Sequence, residues 1–569
     1  PIALSCLVLM AVSAAAETGP LAEKKARKAA QRFDLRVTTS GPTKADVDAV
    51  KLRVEQSPAV RSALKNGKYR LLSLEYTDGG DHQKKAAGSA RFRATFYSYS
   101  DDVAVIAEGD FAGREPITAV PAYFDPGVGD GELDEAFAII RADARFKSTD
   151  GKLALAAAMP PVSNVDGERL INIRVIESDT AANEIVGVSF KNSRVVRYAG
   201  NAPPAARATP EACGISDAGQ PTTFEGSHPG QYQLTASQGG NPLWEMLVLR
   251  PNVSSGAPFE RSGIEIRDVK YKGKSVLKRG HVPVLNVKYV NASCGPYRDW
   301  QYQEGFFSIP PAGVSFPNGA DGGFAILPEG QVATTSVESR NDQGNFRGVA
   351  VYQQVIDGVN ELVLVTEMEA GWYRYIMEWR FGADGIIRPR YGFGSTTSSC
   401  VCVGRDHHVY WRLDFDVVSP VNRIFQVERG RKFMRPIATE AAIFRNYATN
   451  RGFVIQSGGN EAYSIFPGIT DGSVADAAGN VLDPFGGGDF WLMQFKGTAG
   501  APIELNDPNV GTVAATLGPF INGESIAGQD VVVWYGAHQR RIDDASRPGT
   551  PEILAGKHVV GPEIRPIQW

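Results

Sequence analysis

The feature that most restricts the fold is the alternation of strand-like runs and turns from Glu225 to Trp569. Runs such as "IEIRDVKYKGKSVL", "VPVLNVKYV", "GVAVYQQVIDGVNELVLVTEM" and "QDVVVWYG" are rich in β-branched and aromatic residues, and turn residues separate them. Successive side chains on a strand point to opposite faces, so each run can bury one face against a second sheet. Repeated over more than half of a 569-residue chain, this pattern calls for a large antiparallel β-sandwich with few helices. The 61 glycines and 35 prolines supply the turns that such a fold needs.

The chain is too long for one compact core, and about two to four domains are expected. With 43% hydrophobic and 21% charged residues it is an ordinary globular chain, neither disordered nor fibrous. Fifty-nine basic residues against 63 acidic ones leave a net charge of -4, which argues against a nucleic-acid partner or a polybasic membrane surface.

The first residues, "PIALSCLVLMAVSAAAETGP", place an apolar core from Ile2 to Val12 before small residues. That is the pattern of a secretory signal over residues 1–16, with cleavage expected after Ala16. A short buried helix is the competing reading, and the abrupt turn to polar residues in "AETGPLAEKKARK" speaks against it. The chain begins without an initiator Met or a basic stretch, so its natural start is expected upstream. No other apolar run is long enough to cross a bilayer, which predicts a soluble protein that is secreted or periplasmic. After loss of Cys6, Cys213, Cys294, Cys400 and Cys402 remain. In an oxidising compartment they predict one or two disulfides, with the pairing left open.

Ahead of the sandwich, a helix-then-strands pattern occurs twice. Residues 40–128 hold "TKADVDAVKLRVEQSPAVRSALK", capped by Thr43 with Asp46 three residues on, and then three strand-like runs. Residues 129–198 repeat the order with "DGELDEAFAIIRADARFK" and three more runs. Both read as small helix-on-sheet α+β modules, scaffold or interaction units without clustered His, Cys or carboxylates. Residues 199–224 are Ala/Pro-rich and read as a linker to the sandwich of residues 225–569.

Only seven histidines are available for a metal or acid–base site: His82, His228, His281, His407, His408, His538 and His558. His407 and His408 open the run "RDHHVYWRLDFDV". Neighbours on a strand face opposite ways, and a chelate on one face wants H-x-H, but the partner position of His407 is Arg405. On this count His407 reads as a hydrogen-bonded histidine. "GFGSTTSSC" and "FGGGDF" lack the strand–GxGxxG–helix setting of a nucleotide site. "ERGRKFMR" reads as a solvated basic loop, and Asn252 and Asn291 lie in N-x-S sequons. A further hairpin, "EAGWYRYIMEWRFGADGIIRPRYGFG", turns at Ala383–Gly385 and carries Tyr373 in its first arm.

Three segments, "GWYRYIMEWRF", "RDHHVYWRLDFDV" and "DVVVWYGAHQRR", come in the order in which the catalytic domain of the copper amine oxidases carries its motifs. Together they resemble that family, whose plan of two small α+β modules before a large β-sandwich matches nearly the whole mature chain. The resemblance puts the tyrosine that becomes topaquinone at Tyr373 and its companion at Tyr375. It puts Arg412, Asp414 and Asp416 on the strand after the copper ligands. The three copper ligands fall on Arg405, His407 and Arg541, with His538 three residues before the last. The asparagine and the acid flanking the quinone tyrosine become Trp372 and Arg374. The catalytic aspartate falls on Gln303, with Glu304 adjacent and Asp299 nearby.

These departures predict a non-catalytic relative, an exported binding or structural protein without copper or topaquinone. Arginine offers no lone pair to copper, an indole crowds the quinone position, and glutamine cannot act as a base. That reading predicts acids beside Arg405 and Arg541, from Asp406, Asp543 or Asp544, and packed aromatics around Tyr373. The alternative is an active copper/topaquinone oxidase turning a small primary amine into aldehyde, ammonia and hydrogen peroxide. It would need His407 or His408 to pair with His538 in a non-standard copper or zinc site, and Glu304 or Asp299 to act as base on a quinone at Tyr373. In either case the resemblance implies a homodimer.

Overall fold

The computed structural model describes residues 31–569 apart from scattered segments, the longest being residues 78–90, 199–213, 496–516 and 542–559. The expected signal, most of the linker, Cys213, Cys294 and Asn291 lie outside the described residues.

The Lys44–Gln56 helix begins where the sequence marks it. Thr43 accepts from the Asp46 N–H at 3.2 Å, and the Asp46 carboxylate accepts from the Thr43 N–H at 2.9 Å. Its end is set by Pro58. The residue before a proline is pushed out of the helical region, and Ser57 is extended at φ -62°, ψ 128°. Pro58 then opens a short second helix, Pro58–Leu64. The pair covers a four-stranded antiparallel sheet of Tyr69–Thr77, Arg91–Ser98, Val103–Asp110 and Thr118–Ala122. The Glu132–Ala142 helix buries Ala136 and Ile140 against a second such sheet, Leu153–Ser163 to Arg194–Arg197.

The rest is the expected sandwich, mainly antiparallel β. Among the described residues one sheet has ten strands and the other twelve. Asp34–Ser40 precedes the first small module yet pairs with Gln231–Gln238 at the edge of the ten-stranded sheet. From this first described strand in the large domain the chain leaves for both modules and then returns. Asn252 is buried, so its sequon is closed to a glycan in the folded chain.

Two central strands position the site. Arg405–Phe415 lies between Lys274–Tyr289 and Val531–Arg541 in the ten-stranded sheet. Tyr373–Gly382 lies between Val359–Ala370 and Ile387–Ser395 in the other. Their inward residues share one core: Val409, Trp411 and Leu413 from the first strand, Tyr375, Met377 and Trp379 from the second. Outward residues of the Arg405 strand meet a third layer, in which Tyr410 packs with Phe485, Trp491, Leu517 and Trp534.

Candidate functional site

Alternation along Arg405–Phe415 separates its two histidines. His407 turns into the sandwich, where its ring lies 4.3 Å from Phe393 and edge-on to Tyr373 at 5.0 Å, centroid to centroid. His408 turns the other way, into the third layer. Arg405 shares the face of His407. Its guanidinium lies 5.8 Å from the Tyr373 ring centroid, and Nη1 donates to the Val401 carbonyl at 2.5 Å. Asp406, the adjacent acid, is buried, whereas Asp543, Asp544 and the Arg541 side chain lie outside the described residues. The Arg541 backbone pairs directly with Arg405, so the first and third positions expected for metal ligands are cross-strand neighbours.

Tyr373 is boxed in. Tyr375, two residues on and hence on the same face, stacks on it at 5.3 Å and 23°. The Tyr373 hydroxyl shares a short hydrogen bond with that of Tyr289, which also accepts from Trp372 Nε1 at 3.2 Å. Tyr289 reaches this place from the end of its strand, opposite Arg405. Burial holds the Tyr289 phenol well above the usual range, while the Arg405 charge pulls the other way. Arg374, in place of an acid, grips Asp342 through Nε at 2.6 Å and Nη2 at 2.9 Å, both side chains fully buried.

The acids expected to act as bases part company. Asp299 accepts the hydroxyl of Tyr375, and burial pushes its carboxyl up to about 7, against the effect of that hydrogen bond. Glu304 forms a buried two-point ion pair with Arg250, at 2.7 and 3.1 Å. Gln303 accepts from Trp300 Nε1. Of the acids named from sequence, Asp299 thus stands beside the tyrosine pair and Glu304 in an ion pair of the fold.

His408 and His538 are opposite each other across two strands, with Nδ1 atoms 2.8 Å apart and ring centroids 5.0 Å apart. With the nitrogens face to face, this is an N–H···N hydrogen bond; two metal ligands would converge on a third point instead. His538 Nε2 lies 3.3 Å from Asp489, whose carboxylate also accepts from the N–H groups of Arg445 and Val474 and from the Ser473 hydroxyl. Burial holds His408 down to about 3 despite the nearby Asp483. Beside Tyr373, by contrast, the described nitrogen groups are one imidazole and one guanidinium without a lone pair, and the described oxygens are hydrogen-bonded phenols. That set does not fit a copper ion.

Asp414, Asp416 and Asp530 gather at the far end of the same strands, their ligand atoms within 4.8 Å of one another. Arg412 Nη1 stands 3.7 Å from Asp414. Tyr289, Asp342, Asp489 and Arg250 escaped the sequence reading. In sequence they are an ordinary strand aromatic and three lone charges, and only their partners across the fold single them out.

The two-sheet sandwich behind two small helix-on-sheet modules is the fold of the copper amine oxidases. The chain superposes on an amine oxidase of Aspergillus nidulans with a TM-score of 0.56, covering 95% of this chain and 90% of that one at 13% identity. A Pichia pastoris lysyl oxidase gives 0.56 over 95% and 92%, and a copper-containing benzylamine oxidase of Hansenula polymorpha gives 0.54 over 95% and 94%, each at 13% identity. No protein-family profile and no curated protein sequence matches the chain.

Proposed function

We propose that this chain is an exported, non-catalytic protein on the amine-oxidase fold, binding or structural in role, in which Tyr373 stays tyrosine and no copper is held. One observation carries this reading: Arg405 lays its guanidinium over the Tyr373 ring from the place where the fold's first copper-binding histidine is expected. A fixed positive charge there opposes a divalent cation, and His407 alone cannot replace three imidazoles. The packing of Trp372, Tyr375, His407 and Tyr289 around Tyr373 supports it further. Homodimer formation and a disulfide at Cys400, which is buried just before the Arg405 strand, belong to the same proposal. Among the described residues no helix is long and apolar enough to cross a membrane.

The test is metal analysis of protein expressed with copper, together with phenylhydrazine labelling and the mass of the Tyr373 peptide. An unmodified peptide and no stoichiometric metal are expected. One copper per chain with a hydrazone on Tyr373 would overturn the proposal in favour of a primary-amine oxidase.

A further inference from the structure

Beyond the Tyr373 box, aromatic rings continue through the core without a break. Tyr375 is 5.9 Å from Tyr391, Tyr391 is 6.3 Å from Trp411, and Trp411 is 6.1 Å from Tyr535, centroid to centroid. All four are buried, and they cross from one sheet to the other. The hydrogen bonds along the run differ by position. At one end the Tyr375 hydroxyl donates to the Asp299 carboxylate, and at the other the Tyr535 hydroxyl donates to Asp471. In the middle the Tyr391 hydroxyl donates to the neutral amide oxygen of Gln301 at 2.8 Å. The Trp411 indole N–H has no hydrogen-bond partner among the described residues.

We propose that this run is a redox conductor with two traps, Tyr375–Asp299 and Tyr535–Asp471, able to store the oxidising equivalents left when an outer-sphere one-electron oxidant takes electrons from it. A phenol that loses an electron becomes a strong acid, and buried from water it is stably oxidised only if a base takes its proton in the same step. At Tyr375 the electron leaves through neighbouring rings to the oxidant, the O–H bond breaks, and the proton passes to Asp299. The products are a neutral phenoxyl radical and a carboxylic acid; Tyr535 and Asp471 behave alike. Tyr391 and Trp411 have no carboxylate to receive a proton, so they pass the hole on. Arg405 disfavours positive charge on Tyr373, which directs the hole to Tyr375. Tyr410 also donates to a carboxylate, that of Asp483, but in the outer layer and outside this run.

The experiment is photo-oxidation of the full chain at about pH 8.5, where Asp299 is ionised, with photogenerated tris-bipyridine ruthenium(III), read by electron paramagnetic resonance on rapidly frozen samples. A neutral tyrosyl signal is expected in the wild type. Tyr375→Phe combined with Tyr535→Phe is expected to lower it by roughly tenfold, to the level set by exposed tyrosines such as Tyr447. Asp299→Asn keeps the ring and an acceptor for its hydroxyl but removes the base, and combined with Tyr535→Phe it is expected to lower the signal as far. That variant decides the question if the double phenylalanine variant does not fold. A wild-type signal in folded variants of either kind overturns the proposal. The readout uses neither copper nor a quinone, and Tyr373 is outside the conductor, so the outcome is independent of the metal and hydrazine test.

Discussion

Asp299 shows how far burial reshapes a single residue here. Its carboxyl titrates near 7 in the folded chain, pushed up mainly by burial, against roughly 3.9 when unfolded. The folded state therefore binds this proton more tightly. The resulting stabilisation is full below about pH 3.9 and is lost as the pH rises through about 7. Asp299→Asn should remove that loss, so that between pH 5 and 8 its unfolding free energy falls by about 3 kcal/mol less than that of the wild type. Urea unfolding at the two pH values measures this, and parallel profiles would contradict it. Arg374 makes a sharper demand. Its buried guanidinium holds Asp342 at two points, so Asp342→Ala removes the closer of its two carboxylate partners, Glu369 lying 3.6 Å away, and should cost about 3 kcal/mol by denaturant titration.

Among the elements, the Val531–Arg541 strand is tuned to the histidine pair. Gly536 precedes His538 by two residues and so lies on the same face. A Cβ there would come within 2.8 Å of His538 Nε2 and 3.0 Å of a Tyr410 ring carbon. Gly536→Ala should push the imidazole off Asp489 and cost about 1–3 kcal/mol in thermal or denaturant unfolding. A variant as stable as the wild type would mean that the ring relaxes freely. The helical elements teach a simpler lesson. Thr43 and Asp46 act on each other three residues apart, so that cap was legible in the sequence, whereas the segment read there as one helix is divided in two at Pro58.

For the molecule as a whole, the return of the chain to the sheet of its first described strand matters most. Asp34–Ser40 is the edge strand of the ten-stranded sheet and covers Gln231–Gln238. Deleting the residues up to Ser40 would bare a row of unpaired N–H and C=O groups along that edge. The truncated chain is expected to lose stability in the large domain itself and to aggregate at concentrations where the full chain stays in solution. Light scattering during a thermal ramp reads both, and unchanged scattering and melting would refute it.

The sequence alone determined the sandwich, the two helix-on-sheet modules and the opposition of His407 to His408. All of these follow from periodicity or short-range sterics, which act between residues close in the chain. It also singled out Tyr373, and Arg405 as a residue without a lone pair where the resemblance puts a metal ligand, because a guanidinium has none in any fold. Only tertiary structure decided that Glu304 belongs to Arg250, that Asp299 faces Tyr375, that His408 meets His538, and that the first strand returns to the large sheet. Such pairings join residues that are far apart in the chain. A carboxylate or imidazole has the same composition whatever it meets, and its role appears only when burial removes water and leaves a single partner in reach.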